Sequence, residues 1–202
     1  MIPAAEALER LRDGNRRFAT DASALAGTGF RTRRLETAPN QEPFAVVLGC
    51  ADSRVPAEIV FDQGLGDLFV IRVAGNIVAP SQIGSVEFAA ARFGVRLVVV
   101  LGHSNCGAVT ATIEELGRPS ADQSRNLRAI VERIRPSVEP LLSTGLHDEA
   151  TLVRLAVRAN ILASADHLRH GSEILEQLIL NEGLQVIAAE YSLETGEVEF
   201  LG

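Results

Sequence analysis

Along this chain of 202 residues, short unbroken apolar runs alternate with longer stretches whose apolar positions recur every three or four residues. FAVVLG (44–49), DLFVIR (67–72) and VRLVVVLG (95–102) have strand length and carry many β-branched residues, so they read as strands buried on both faces. LQVIAAEYSL (184–193) reads as a later strand, and after a turn at Thr195-Gly196 the segment EVEFL (197–201) reads as its hairpin partner at a sheet edge. Helical spacing is carried by residues 4–18 through Ala4, Leu8, Leu11 and Phe18, and by 107–116, 121–134 and 147–170. Pro56 to Phe61 reads as a short helix. Ser81 to Phe93 reads as a longer one, with Ser81 as its N-cap and Gly94 as its stop, and Ser172 to Asn181 as another, closed by Gly183. Strands separated by helices predict an α/β fold: a mostly parallel central sheet flanked by helices, with an N-terminal helical arm and a C-terminal edge hairpin. A polar connector runs to about residue 42, so the expected organisation is one domain, with an arm and connector over 1–42 and an α/β core over 43–202.

Composition narrows the function classes. Hydrophobic residues make up 47% and charged residues 22%, an ordinary balance for a soluble globular protein. The net charge of −7 argues against nucleic acid or an anionic membrane as the main partner. No stretch reaches the roughly 18–20 apolar residues of a membrane span. MIPAAEALERLRDG carries acids and no signal-peptide apolar core, so a soluble, cytoplasmic protein is expected. Arg31, Arg33 and Arg34 form a basic run without interleaved aromatics, which reads as a solvated or interface loop rather than a phosphate site. The 2 cysteines are not a disulfide framework in such a chain, which leaves buried thiols, redox thiols or metal ligands.

Cys50 follows the first strand directly, and His103 follows the strongest strand almost directly. The carboxyl ends of parallel strands line a shared crevice where ligands bind. Cys106, three residues after His103, completes an H-x-x-C element and opens the next helix, where the dipole and free N–H groups favour a thiolate. Two sulfurs and one imidazole nitrogen form a three-ligand set that leaves a fourth position for water or substrate. Asp52 lies close enough in sequence to take that position. Arg54 can instead pair with it bidentately and hold it off a metal, although a plain surface ion pair is the bland alternative.

At these residues the chain resembles the β-class carbonic anhydrases. The resemblance rests on CADSRV (50–55) and HSNCGA (103–108), and extends to GNRRF (14–18), IRVAGN (71–76) and the TGEVEFL ending. It implies a carbonate dehydratase that reversibly hydrates carbon dioxide to bicarbonate and a proton, with zinc on Cys50, His103 and Cys106 and an Asp52–Arg54 dyad. It also implies a homodimer or a multiple of dimers, in which the N-terminal helix packs across a partner and each site is partly built by the neighbour. Family members often read CSDSR and RNAGN where this chain has Ala51 and Val73, and neither change removes a ligand. One subgroup binds regulatory bicarbonate through a Trp, an Arg and a Tyr. Arg72 matches the Arg, but Val47 stands in place of the Trp, so that regulation is not expected here. The other subgroup has a Gln near bound bicarbonate, a position that Gln41 fits, and Phe69 and Phe88 match either its pocket lining or plain core. Backbone N–H groups around Gly107, at the start of a helix, can stabilise charge on a substrate oxygen. Two alternatives remain: a carbonyl sulfide or carbon disulfide hydrolase on the same fold, and a non-catalytic zinc protein. His147, His167 and His170 read as surface or structural, and Tyr191 as packing.

Overall fold

The computed structural model describes residues 2–23, 30–117, 124–143 and 148–201. Five strands form one sheet in the order β2-β1-β3-β4-β5, where β1 is Ala45–Cys50, β2 Leu68–Val73, β3 Leu97–His103, β4 Gln185–Tyr191 and β5 Val198–Leu201. The first four are parallel, and β5 runs antiparallel to β4 as an edge hairpin. Every residue of the two central strands β1 and β3 is buried, which is why their sequences are unbroken apolar runs rather than alternating ones.

The period-2 alternation of side chains divides the strands between two cores. Val46, Leu48, Cys50, Val98, Val100, Val186 and Ala188 face one layer. That layer is built by α4 (Pro80–Arg92), α5 (Gly107–Gly117), α6 (Arg125–Leu142), α7 (Glu149–His170) and α8 (Glu173–Glu182). Ala45, Val47, Leu97, Val99, Leu101, Ala189 and Tyr191 face the other layer, closed by α1 (Ala4–Ala19) and α3 (Ala57–Val60). The Tyr191 ring packs tilted against Phe18, with centroids 6.4 Å apart, in keeping with the packing role read for it.

Several expectations need correction. The connector contains a helix, α2 (Phe30–Thr37), which buries none of its residues and therefore leaves no amphipathic signature. Arg33, from the basic run, ties it down by donating to Asp67 Oδ1 at 2.7 Å and to the Leu65 carbonyl at 3.0 Å. Ser81 is not the cap of α4: Ala79 holds that place, Pro80 follows at the first helical position, and the Ser81 hydroxyl turns to Gln82 Oε1. Helix α6 continues past Pro136 and Pro140 because Val131, Ile134 and Val138 keep one apolar stripe against the core. The buried face of helix α1, with Ala7 and Leu11 fully buried, lies on its own sheet. Among the described residues no helix is long and apolar enough to cross a membrane.

Candidate metal centre

The register that sets Gly49 beside Leu101 brings the carboxyl ends of β1 and β3 together, and Cys50 and His103 are the last residues of those strands. The chain then turns through Ser104 and Asn105, the latter left-handed at φ 54, and returns Cys106 to the same point. The Cys106 carbonyl accepts from the N–H groups of Val109 and Thr110, so this residue caps α5. The three side chains are buried, their donor atoms lie within 4.8 Å of one another, and the two sulfurs are 3.9 Å apart.

His103 Nδ1 lies 2.9 Å from the Ser104 carbonyl, which can only accept, so the proton sits on Nδ1 and the lone pair on Nε2. Nε2 is buried with no hydrogen-bond partner. An orphaned imidazole nitrogen facing two thiols is costly as it stands, and a cation bound by all three atoms removes that cost. The donor set therefore fits a borderline-soft divalent metal.

The electrostatics agree. Cys50 is held well below the usual thiol range by the hydrogen bond from Cys106, against the opposing effect of burial. Cys106 is pushed far up, first by that same contact and then by burial, because a second thiolate cannot form beside the first without a cation. Burial works against a charged His103, but its contact with the Cys50 sulfur outweighs this and raises it.

Asp52 stands at the mouth of the site, with Oδ2 3.7 Å from His103 Nε2. Its Oδ1 accepts from the Arg54 backbone N–H and from Nε, both at 3.0 Å, and Oδ2 accepts from the second Arg54 nitrogen at 2.8 Å. These bonds from Arg54 keep the carboxyl far below the usual carboxylate range. Oδ1 is saturated, whereas Oδ2, the oxygen nearer His103, keeps one free lone pair.

Other elements brace both ligand loops. From β2, Arg72 donates to the carbonyls of Cys50 and Asp52 at 3.1 and 2.5 Å. The Gly75 N–H reaches Cys50 Sγ at 3.3 Å. Glu194 accepts from the Ser104 hydroxyl and the Asn105 amide, each at 2.9 Å, so one carboxylate grips both residues between His103 and Cys106. Gly75 lies within the IRVAGN segment, whereas no local motif announces Glu194, which reaches the site through a neighbouring element.

Gly107 is the first residue of α5 and directly follows Cys106, so its N–H is one of the free donors at a helix start. Gln41 lies elsewhere. It borders a cleft with Arg10, Phe44 and Phe93 at the beginning of β1, whereas Cys50 ends that strand. A six-residue strand rises roughly 17–20 Å, so Gln41 does not reach the cluster of its own chain. Beside that cleft Phe88 is 52% exposed and packs edge-on with Phe93, with Phe69 completing the trio. His167 and His170 belong to the last turn of α7, while His147 lies outside the described residues.

A family model described as Carbonic anhydrase matches residues 45–198. A carbonic anhydrase of Mycolicibacterium smegmatis is 38% identical over 202 residues, covering 96% of this chain and 91% of the relative. Carbonic anhydrase 2 of Mycobacterium tuberculosis is 36% identical, covering 94% of this chain and 89% of the relative. Among solved structures, a tetrameric β-carbonic anhydrase of Sordaria macrospora superposes with a TM-score of 0.71 at 24% identity, covering 85% of this chain and 90% of that one.

Proposed function

We infer the function from one premise: the chain belongs to the β-class carbonic anhydrase family. It is a carbonate dehydratase, interconverting carbon dioxide and water with bicarbonate and a proton. In our reading zinc is the metal, and Cys50, His103 and Cys106 are its ligands. The observation that carries this reading is the buried, partnerless His103 Nε2 facing two sulfurs 3.9 Å apart. Zinc supplies, when bound, the acidification of water that makes a hydroxide nucleophile available near neutral pH.

The remaining work falls to this chain's own groups. Asp52, ionised under the hold of Arg54, offers the free lone pair of Oδ2 to the O–H of the attacking oxygen. That oxygen then keeps its own lone pair for the carbon of carbon dioxide. Arg54 fills the other acceptor positions, so the carboxylate is held in the fork and kept from ligating the metal itself. The N–H of Gly107 is a preorganised donor for charge gathering on a substrate oxygen.

The substrate side is incomplete in one chain. Gln41 and the exposed Phe88 share a patch at the other end of the sheet, and we assign them to the site of a second copy in a homodimer or a multiple of dimers. The tetrameric assembly of the Sordaria macrospora protein is in keeping with this. The charge of −7 speaks against nucleic acid as a partner, and a cytoplasmic location fits our reading of the sequence. The relatives carry the carbonic anhydrase name, so a carbonyl sulfide or carbon disulfide hydrolase, or a non-catalytic zinc protein, is not favoured.

The test pairs stopped-flow carbon dioxide hydration with metal analysis of the same sample. Asp52→Asn is expected to retain one zinc per chain while losing most turnover. Wild-type rates in that variant would refute the role of Asp52, and a wild type without zinc would refute the metal.

A further inference from the structure

One amide interrupts the apolar face of α7. Leu152, Ala156, Val157, Ile161, Ala165 and Leu168 are buried at helical spacing, and Asn160, only 2% exposed, lies among them. A carboxamide is unfavourable in such a place unless its hydrogen bonds are made, so its partner points to its use. Its Nδ2 donates to the Gly75 carbonyl at 2.8 Å.

Gly75 belongs to the 3-10 turn Ala74–Asn76 after β2, and is left-handed at φ 69 and ψ 21. Asn76 follows, also left-handed at φ 43. Two such residues in succession persist only where the surroundings hold them. The turn is wedged: a methyl at Gly75 would come within 2.7 Å of Ile134 Cδ1 and 3.1 Å of Ala108 Cβ, the latter in the first turn of α5 behind Cys106. In this conformation the Gly75 N–H donates to Cys50 Sγ at 3.3 Å.

We propose that Asn160 is a positioning residue for the metal centre: its buried amide locks the left-handed Gly75, so that the Gly75 N–H stays aimed at the sulfur of Cys50. The proposal rests on Cys50 being a zinc ligand. An N–H aimed at a thiolate fixes the position of the sulfur and draws off part of its charge, as outer-shell donors do at metal sites. Without the Asn160 amide the Gly75 carbonyl loses its donor. Glycine, free to leave the left-handed region, then turns its N–H away from the sulfur.

The test is zinc affinity, measured by competition with a chromophoric chelator on apo-protein shown to be folded by circular dichroism. Asn160→Ala removes the amide, and Asn160→Leu replaces it with an apolar group of similar volume suited to the surrounding core. Both are expected to hold zinc about 10–100-fold more weakly than wild type, as losses of outer-shell partners do. The sulfur-to-metal charge-transfer band of the cobalt(II) protein is expected to shift with them. A folded variant that holds zinc within about twofold of wild type, against the 10–100-fold expected, overturns the proposal, because a purely structural amide would change stability alone. If neither variant folds, the wild type decides, loaded with an NMR-active cadmium isotope. Through-hydrogen-bond couplings are expected from the metal to the Gly75 amide proton and from the Asn160 amide nitrogen to the Gly75 carbonyl carbon, and the absence of either overturns the assignment. A wild type that takes up no zinc removes the metal reading instead, so the two failures are distinguishable.

Discussion

Gly14→Ala tests how the N-terminal helix is seated. Gly14 lies on the buried face of α1, where a methyl would stand 1.8 Å from the Phe61 carbonyl oxygen and 2.8 Å from its carbon. The Gln63 amide, at 2.7 Å, is a side chain that can yield, but the Phe61 atoms are backbone at the end of α3 and Phe61 is itself fully buried, so they have little room to move. Relief requires α1 to lift from the sheet. That strains the three hydrogen bonds by which Asn15 ties the helix down: Nδ2 to the carbonyls of Val60 at 3.1 Å and Gly196 at 2.8 Å, and Oδ1 from the Val198 N–H at 2.8 Å.

Each such bond contributes about 1 kcal/mol net. Overpacking costs about 1–3 kcal/mol. The better helix propensity of alanine returns about 1 kcal/mol. With all three bonds lost, the balance is a destabilisation of roughly 3–5 kcal/mol, which in a domain of this size corresponds to a Tm lower by about 6–20 °C. Thermal unfolding of the zinc-loaded wild type and variant at equal protein concentration reads the difference. An unchanged or higher Tm, the outcome helix propensity alone would produce, refutes the reasoning.

Arg54→Lys replaces a planar fork with a point donor and leaves Asp52 loosely held. Zinc content is expected to stay at one per chain while hydration slows roughly 10–100-fold, and an unchanged rate would remove the orienting role of Arg54. Phe88→Ser takes an aromatic ring from the patch beside Gln41. Sedimentation is expected to show smaller assemblies with lower specific activity, and a variant that matches wild type in both sinks the shared-site assignment.

How much could be read beforehand depended on whether the cause was local. The strands, the closure of α8 by Gly183 at φ 72 and the edge hairpin all follow from patterns within a few residues. Cys50, His103 and Cys106 were legible for the same reason, since each lies at or just beyond a recognisable strand end. The extension of α6 was not, because Pro136 and Pro140 argue locally for a stop and only the packing of Ile134 and Val138 against the core overrides them. Helix α2 was invisible because it has no buried face to pattern its sequence. Asn160 had a faint signal, a polar position in a buried helical stripe, but its partner Gly75 is 85 residues away and is identified only by the sheet order.

Gln41 shows where carrying a residue over by position differs from placing it in space. The match to the family motif concerns its distance in sequence from β1, and in one chain that distance puts it at the wrong end of the strand for Cys50. In a parallel sheet all the carboxyl ends lie along one edge, so a residue preceding β1 shares an edge with the strand beginnings and not with the metal ligands. No local rearrangement of the QEPF segment carries it the length of a buried central strand. A role for Gln41 at the substrate therefore requires a second copy whose strand beginnings approach this chain's strand ends, an arrangement that a two-fold axis supplies reciprocally to both sites. Under that pairing Phe88 loses its exposure and Gln41 gains a bicarbonate to bind, so two otherwise unrelated surface features have one cause.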